Sequence, residues 1–210
     1  TAGPEFNEVN LANVINYWNA MIDEMGCSLN ANILTPEVAN EGFDFIWTHI
    51  WESQSARDEC WNNWGDNYKT EYDKTIEGIM SYDLDNVYMF TPTIGKQPKM
   101  QNNTGSFVNS FYFCTFNDGY SVSDLNSYQA ALNNVDGFSD YWWYATLEPT
   151  FEPADPKPDF VWVDIWASNE DEASDRENWS ETDLPAVVEE KFSCLPNASG
   201  AGFIGTVIRS

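Results

Sequence analysis

Hydrophobic and polar residues alternate with a period of two in one stretch that occurs twice in the chain. The first copy covers residues 44–53, and the second covers residues 159–168, at an offset of 115. Both copies fit the pattern D-F-(I/V)-W-x-x-I-W-x-S, and Trp64 and Trp179 follow them at the same offset. The alternation predicts a β-strand in each copy, and the recurrence indicates an internal duplication.

The two faces of this repeated strand differ in chemistry. One face carries β-branched side chains, which predict packing beneath helices. The other face is aromatic, with one polar residue in each copy, and is predicted to point into an interior shared by the two halves. Its members are Phe45, Trp47, His49 and Trp51 in the first copy and Phe160, Trp162, Asp164 and Trp166 in the second.

Apolar residues at helical spacing predict helices between the strands. The predicted helices cover residues 11–25, 55–76 and 121–134, and a fourth begins after Ser168. Residues 55–58 fit a capping box at the start of the second helix. Further strands are predicted at 32–34, 87–90, 111–116, 141–148 and 203–208. Residues 93–106, rich in Pro, Gly, Asn and Gln, predict a linker.

The resulting element order is β-α-β-β-α-β, which gives an α+β fold with two tandem ferredoxin-like repeats. The first repeat spans residues 1–92 and the second spans residues 107–210. This order and the duplication resemble the dimeric α/β-barrel superfamily in a fused form. The resemblance covers nearly the whole chain and implies a pseudo-dimeric barrel, with two sheets that enclose a pocket and helices outside. Its members include small monooxygenases and haem-binding proteins, and no motif specific to one of them occurs here.

The first repeat departs from the pattern at its start. Only residues 1–6 stand where the second repeat has a strand before its first helix, so the first strand is predicted to be incomplete. An unpaired sheet edge can accept a strand from another chain. This predicts, as an alternative function, a structural protein that assembles into homo-oligomers.

The net charge and the cysteine content limit the partners and the cellular location that can be expected for the protein. The net charge is −25, from 34 acidic and 9 basic residues, which excludes nucleic acid as a partner because phosphate contacts need a basic surface. No apolar run approaches the roughly 20 residues of a membrane-spanning helix. Four cysteines allow three disulfide pairings. The glycosylation sequons at Asn102, Asn178 and Asn197, together with a chain that opens at Thr1, predict an exported protein, secreted or periplasmic.

The candidate chemistry lies on the aromatic face. His49 is predicted to act as a base and Asp164 to orient it, because a carboxylate beside an imidazole raises its pKa. The ligand is predicted to be a small apolar or aromatic molecule, bound by Phe45, Phe160 and the tryptophans 47, 51, 162 and 166, and Trp142 or Trp143 is a further candidate.

The reaction predicted for this pocket is cofactor-independent, of a monooxygenase or isomerase kind. Three alternatives stay open. His49 and the tryptophans can simply fill a core; His49 can ligate haem, which the resemblance brings in as a cofactor; and the ten tryptophans can bind carbohydrate. No pattern predicts a metal site.

Overall fold

The chain forms two compact units in a computed structural model, which describes residues 1–39, 41–151, 157–196 and 202–210. The first unit comprises Thr1–Thr35, Asn40–Val87 and Thr206–Ser210, and the second comprises Pro36–Ala39 and Tyr88–Gly205. Both units combine α-helices with β-strands, which confirms the α+β class predicted from the sequence.

The first unit packs three helices on a small antiparallel sheet. Its elements are α1 (Glu8–Glu24), β1 (Leu29–Pro36), β2 (Ile46–Trp51), α2 (Gln54–Asn67), α3 (Lys69–Ile76), a 3-10 turn (Leu84–Asn86) and the last residues of β8 (Phe203–Arg209). Val14, Trp18 and Ile22 recur along one side of α1 and are buried in the core with Ala31 of β1. The apolar residues that recur at helical spacing in the sequence thus form the buried face of α1.

The second unit is built on a larger antiparallel sheet. Its elements are β3 (Phe90–Lys96), β4 (Ser106–Phe116), α4 (Val122–Asn133), β5 (Trp143–Pro149), β6 (Phe160–Trp166), α5 (Asn169–Ser180), α6 (Leu184–Lys191), β7 (Phe192–Pro196) and the start of β8. β6 lies between β4 and β5, β3 pairs with β5, and β7 pairs with β4. From β4 to β7 the order is β-α-β-β-α-β, apart from the division of the second helix into α5 and α6.

Two strand predictions were wrong. The strand that closes the β-α-β-β-α-β order is β7, whereas the sequence pattern assigned this role to residues 203–208, which lie in β8. The strand predicted at 87–90 begins at Phe90 and continues to Lys96 through residues that were predicted as linker. Pro92 is tolerated there because β3, among the strands that the structure describes, is the last of the sheet and pairs on one side.

The start of α2 also differs from the prediction. The N-cap is Ser53, whose hydroxyl accepts the backbone N–H of Ala56 at 3.1 Å, and not Ser55. The second copy of the repeated stretch ends in the same way, since Ser168 accepts the N–H of Asp171 at 3.2 Å. The final serine of each repeated stretch therefore stops the strand and starts the helix.

Two disulfides join elements within the units. Cys27 is bonded to Cys60 in the first unit, and Cys114 is bonded to Cys194 in the second. Cys114 and Cys194 stand directly opposite each other on β4 and β7. Of the three disulfide pairings that four cysteines allow, the structure therefore has Cys27–Cys60 with Cys114–Cys194.

β2 is a sheet edge within the described part of the chain. It pairs with β1 alone, whereas β6, the second copy of the repeated strand, pairs on both sides. Residues 1–5 run beside residues 78–81 instead, with a single bridge between Ala2 and Met80. Assembly through this edge stays a prediction.

No helix among the described residues is long and apolar enough to cross a membrane.

The two caps predict matched losses of stability. Replacing Ser53 or Ser168 by Ala should each lower the free energy of unfolding by about 1 kcal/mol, because one helical N–H loses its acceptor. Urea unfolding followed by circular dichroism measures this loss. Ser55→Ala is the control, with an expected change within about 0.5 kcal/mol. An equal loss in Ser55→Ala would instead support the helix start that the sequence pattern predicted.

Candidate functional site

The aromatic face of the repeated strand lies beneath the helices in both units. In the second unit, Phe160, Trp162 and Trp166 belong to a core formed with Leu125 of α4 and Leu184 of α6. In the first, Phe45, Trp47 and Trp51 pack against the core of α1. The prediction that this face points away from the helices was therefore wrong.

The β-branched side chains occupy the opposite face of the sheet. In the second unit Val163 and Ile165 form a separate cluster there with Ala145 of β5. Large rings fill the deep space between a sheet and the helices that cover it, and this explains the reversal.

A cavity of about 200 Å³ lies within the second unit, between the helices and the aromatic face of the sheet. The rings that line it are those of Tyr112, Tyr128, Phe138, Trp142, Phe160, Trp162, Trp166, Trp179 and Phe192. Its polar side chains are Asp164, Asp175 and Arg176, and the Cys114–Cys194 disulfide forms part of the wall. Three of the predicted ligand-binding residues, Phe160, Trp162 and Trp166, thus line one cavity.

Among the polar side chains of this cavity, Asp164 is the one best suited to exchange a proton with a ligand. It is deeply placed but keeps some accessible surface, and it lines the cavity. The indole Nε1 of Trp142 donates a hydrogen bond to its Oδ1 at 3.0 Å. Burial raises the pKa of Asp164 to about 6, while the indoles of Trp162 and Trp142 and the Arg176 guanidinium oppose this rise. Asp164 can therefore exchange a proton near neutral pH.

Arg176 connects the cavity with the protein surface, because its side chain is partly exposed and also lines the cavity. Its guanidinium lies over the ring of Trp166 at 5.2 Å and forms an ion pair with Glu172 at 2.6 Å. It also donates to the hydroxyl of Ser110 at 3.1 Å. This cation is held beside a buried carboxyl, where it can balance a negative charge on a ligand.

The second buried carboxyl, Asp175, has a structural role. Its two oxygens accept the backbone N–H of Ser139 at 2.8 Å and the indole N–H of Trp166 at 3.0 Å. Burial raises its pKa as well. Because both oxygens are occupied by protein donors, Asp175 fixes the backbone at Ser139, in the segment before β5, and the ring of Trp166.

His49 lies in the core of the first unit. Its ring stacks on Trp18 at 5.4 Å between centroids, and Trp51 and Trp61 approach it edge-on at 5.9 and 6.3 Å. Burial, together with the smaller effect of the Arg57 charge, lowers its pKa to about 4. Its buried Nε2 has no hydrogen-bond partner among the described residues. At neutral pH this imidazole is uncharged and enclosed by rings.

His49 and Asp164 occupy equivalent positions in two matching hairpins. In the first unit His49 stands opposite Ala31, and in the second Asp164 stands opposite Tyr144. The offset of 115 relates His49 to Asp164, and the same offset relates Trp61 to Arg176. An aromatic ring in the first unit thus corresponds to a cation in the second.

The predicted pairing of His49 with Asp164 stays a prediction. The two residues belong to different units, and the contacts recorded for each are made within its own unit. Phe45, Trp47 and Trp51 accompany His49 in the first unit, where Phe45 stacks on Phe6 at 5.6 Å.

Sequence reasoning missed Arg176 and left Trp142 as one of two candidates. A signal for Arg176 was present, because it is the only basic residue of the acidic stretch that forms α5. The carbohydrate alternative stays a prediction; the ten tryptophans are buried or half-buried.

The cavity does not fit haem. A cavity of about 150 Å³ holds benzene, and a porphyrin is several times larger than benzene. The lining contains no histidine, and its two cysteines are bonded to each other. Within the described residues, no three His, Cys, Asp or Glu side chains gather in a way that could hold a metal ion.

No family model and no curated protein matches this chain. Among solved structures it is similar to an anthrone oxidase-like protein, with a TM-score of 0.51, 10% identity, and coverage of 98% of this chain and 88% of the other. It is also similar to a heme-binding protein from Thermus thermophilus, with a TM-score of 0.50, 10% identity, and coverage of 94% and 79%. Both are dimeric α+β-barrel proteins, and the likeness is one of fold.

Asp164 predicts a pH-dependent difference in stability. Its pKa is higher in the folded chain than in the unfolded chain, so the folded protein loses stability as pH rises from about 4 to about 6. Asp164→Asn removes this loss and keeps an oxygen for Trp142. The variant should gain about 1–3 kcal/mol over the wild type between pH 4 and pH 7.5.

Thermal unfolding at several pH values measures this gain. Asp118→Asn, at an exposed turn, is the control and should follow the wild type at every pH. A difference between Asp164→Asn and the wild type that stays constant from pH 4 to pH 7.5 would contradict the raised pKa.

Proposed function

We propose that the cavity of the second unit binds a small aromatic molecule and that Asp164 removes a proton from it. The observation that carries this proposal is a carboxyl group that lines an aromatic cavity and has a pKa of about 6. A buried carboxyl without a function is a net cost to stability, because desolvation of the charged form is unfavourable. Such groups are concentrated at functional sites.

The volume of the cavity limits the ligand. About 200 Å³ exceeds the space that benzene needs and is below the range of about 300–1,000 Å³ usual for drug-sized ligands. One ring, or two fused rings with few substituents, matches this volume. Rings that line the cavity favour a flat partner, because offset stacking and edge-to-face contacts add to the burial of apolar area.

The polar groups define which proton is removed. The Asp164 carboxylate accepts a proton from an acidic O–H, or from a C–H next to a carbonyl. The bond to hydrogen breaks, its electron pair stays on the ligand, and the proton forms an O–H bond on Asp164. The Arg176 guanidinium, which already lowers the pKa of Asp164, then balances the charge of the ligand anion.

This step is common to the two reaction kinds predicted from the sequence. In an isomerisation the proton returns to another atom of the same anion. In an oxygenation, dioxygen is the oxidant that accepts electrons from the anion. The similarity in fold to an anthrone oxidase-like protein supports the second kind, by analogy of fold alone.

Three wider features belong to the same proposal. Matching hairpin registers and matching serine caps support an origin by tandem duplication. In the first repeat, aromatic rings surround His49 at the position that corresponds to Asp164. Two disulfides support a protein exported to an oxidising compartment. The unpaired edge of β2 supports a homo-oligomer.

Binding is tested with 4-nitrophenol and with nitrobenzene, which has a similar shape and no hydroxyl. The wild type should bind 4-nitrophenol about tenfold more tightly at pH 6.5, where most of the phenol is protonated and most of Asp164 is ionised, because its hydroxyl donates a charge-assisted hydrogen bond to Asp164. Asp164→Asn should reduce this preference without weakening nitrobenzene. Isothermal titration calorimetry measures both affinities.

The location of the binding site is tested by Val188→Phe, which places a ring in the cavity wall and should weaken both compounds. Equal binding of both compounds to the wild type would contradict the role of Asp164, and full binding to Val188→Phe would exclude this cavity.

Proton removal is tested with 2-indanone, whose methylene protons exchange with deuterium oxide through an enolate. The wild type should accelerate this exchange, and Asp164→Asn should lower the accelerated rate about 100-fold, as expected for loss of a general base. Proton NMR measures the loss of the methylene signal. His49→Ala is the informative comparison: if it abolishes exchange and Asp164→Asn does not, the base is His49, as the sequence pattern predicted.

A further inference from the structure

A β-bulge in β3 directs Lys96 towards the candidate site. The pairing of β3 with β5 shifts by one residue between Ile94 and Lys96, so that Gly95 is the extra residue. A side chain at Gly95 is excluded, because its Cβ would lie 1.9 Å from the ring of Tyr144. Bulges redirect side chains and occur frequently beside active sites. The bulge here turns the side chain of Lys96 towards the rings of Trp142 and Phe138.

The ammonium group of Lys96 contacts rings rather than carboxylates. It lies 4.4 Å from the centroid of Trp142 and 5.4 Å from that of Phe138, and both rings line the cavity. Among the described residues, no carboxylate lies within ion-pair distance of it. Lys96 is thus held over the ring that donates a hydrogen bond to Asp164.

We propose that Lys96 is a positioning residue that acts on Asp164 through the indole of Trp142. The ring of Trp142 has the Lys96 cation above its face and donates its Nε1–H to Asp164 at 3.0 Å. A cation over the face withdraws electron density from the indole and strengthens its N–H as a donor. A stronger donor stabilises the ionised carboxylate. This inference rests on the proposed role of Asp164 and names the residue that sets its working pH range.

Other charges near these groups can be separated from this effect. Arg176 and Glu172 of α5 are the charged side chains that act directly on Asp164, and Tyr112, Tyr128 and Tyr144 face it as neutral phenols. Lys96 is itself influenced by Lys99, Asp175 and Asp136. Lys99 is the matched control, because it forms a surface ion pair with Asp140 at 3.0 Å.

The test is the titration of Asp164 without any ligand, followed by NMR of carboxyl-¹³C-labelled aspartate. The signal is assigned by its loss in Asp164→Asn. Lys96→Met should raise the midpoint by about 0.5 to 1 pH unit, since it keeps the aliphatic chain and removes the cation. Lys96→Arg should restore the wild-type midpoint, and Lys99→Met should leave it unchanged.

An unchanged midpoint in Lys96→Met, or an equal shift in Lys99→Met, would overturn the proposal. Lys96→Gln serves as the second variant if Lys96→Met does not fold, with folding judged from the amide spectrum. Because no ligand is present, the result is independent of whether 4-nitrophenol or 2-indanone binds. If neither ligand binds but Lys96→Met shifts the midpoint, Lys96 still controls the protonation of Asp164. In that case the function of this carboxyl is a different one from that proposed above.

Discussion

The hydrogen bond from the Trp142 indole to Asp164 is the interaction on which the candidate site depends. A carboxyl group within an aromatic core is stable only if donors replace the water it has lost. Trp142 supplies such a donor from the position just before β5, and the Trp162 indole also lowers the pKa of Asp164. The same ring forms part of the cavity wall and carries the Lys96 cation on its face. One side chain thus links the fold, the cavity and the protonation of the carboxyl.

The two hairpins show how similar backbones acquire different interiors. Both place one polar residue of the repeated strand beneath the helices, between two tryptophans. In the first unit the residue is an imidazole that burial keeps neutral, and its neighbours are rings. In the second it is a carboxyl that has indole donors and a nearby guanidinium. Burial shifts both pKa values, and it favours the uncharged form in each case.

Much of this arrangement could be predicted from the sequence, because periodicity is a local property. The repeated stretch predicted β2 and β6, and it identified Phe160, Trp162, Asp164 and Trp166, which share one cavity. The assignment of the faces failed, since alternation shows that two faces differ but not which one the helices cover. The site residues on other elements, such as Arg176, depend on tertiary packing that local patterns do not contain. Lys96 was hidden for another reason, namely that the Pro and Gly residues of an edge strand resemble those of a linker.

The disulfide between Cys114 and Cys194 gives the cavity a dependence on cellular location. These cysteines line the cavity and join β4 to β7, a strand of five residues that pairs with β4 alone within the described chain. Disulfides persist in oxidising compartments and are rare where thiols are kept reduced. In a reducing compartment the two cysteines would remain thiols, and the covalent link between β4 and β7 in the cavity wall would be absent.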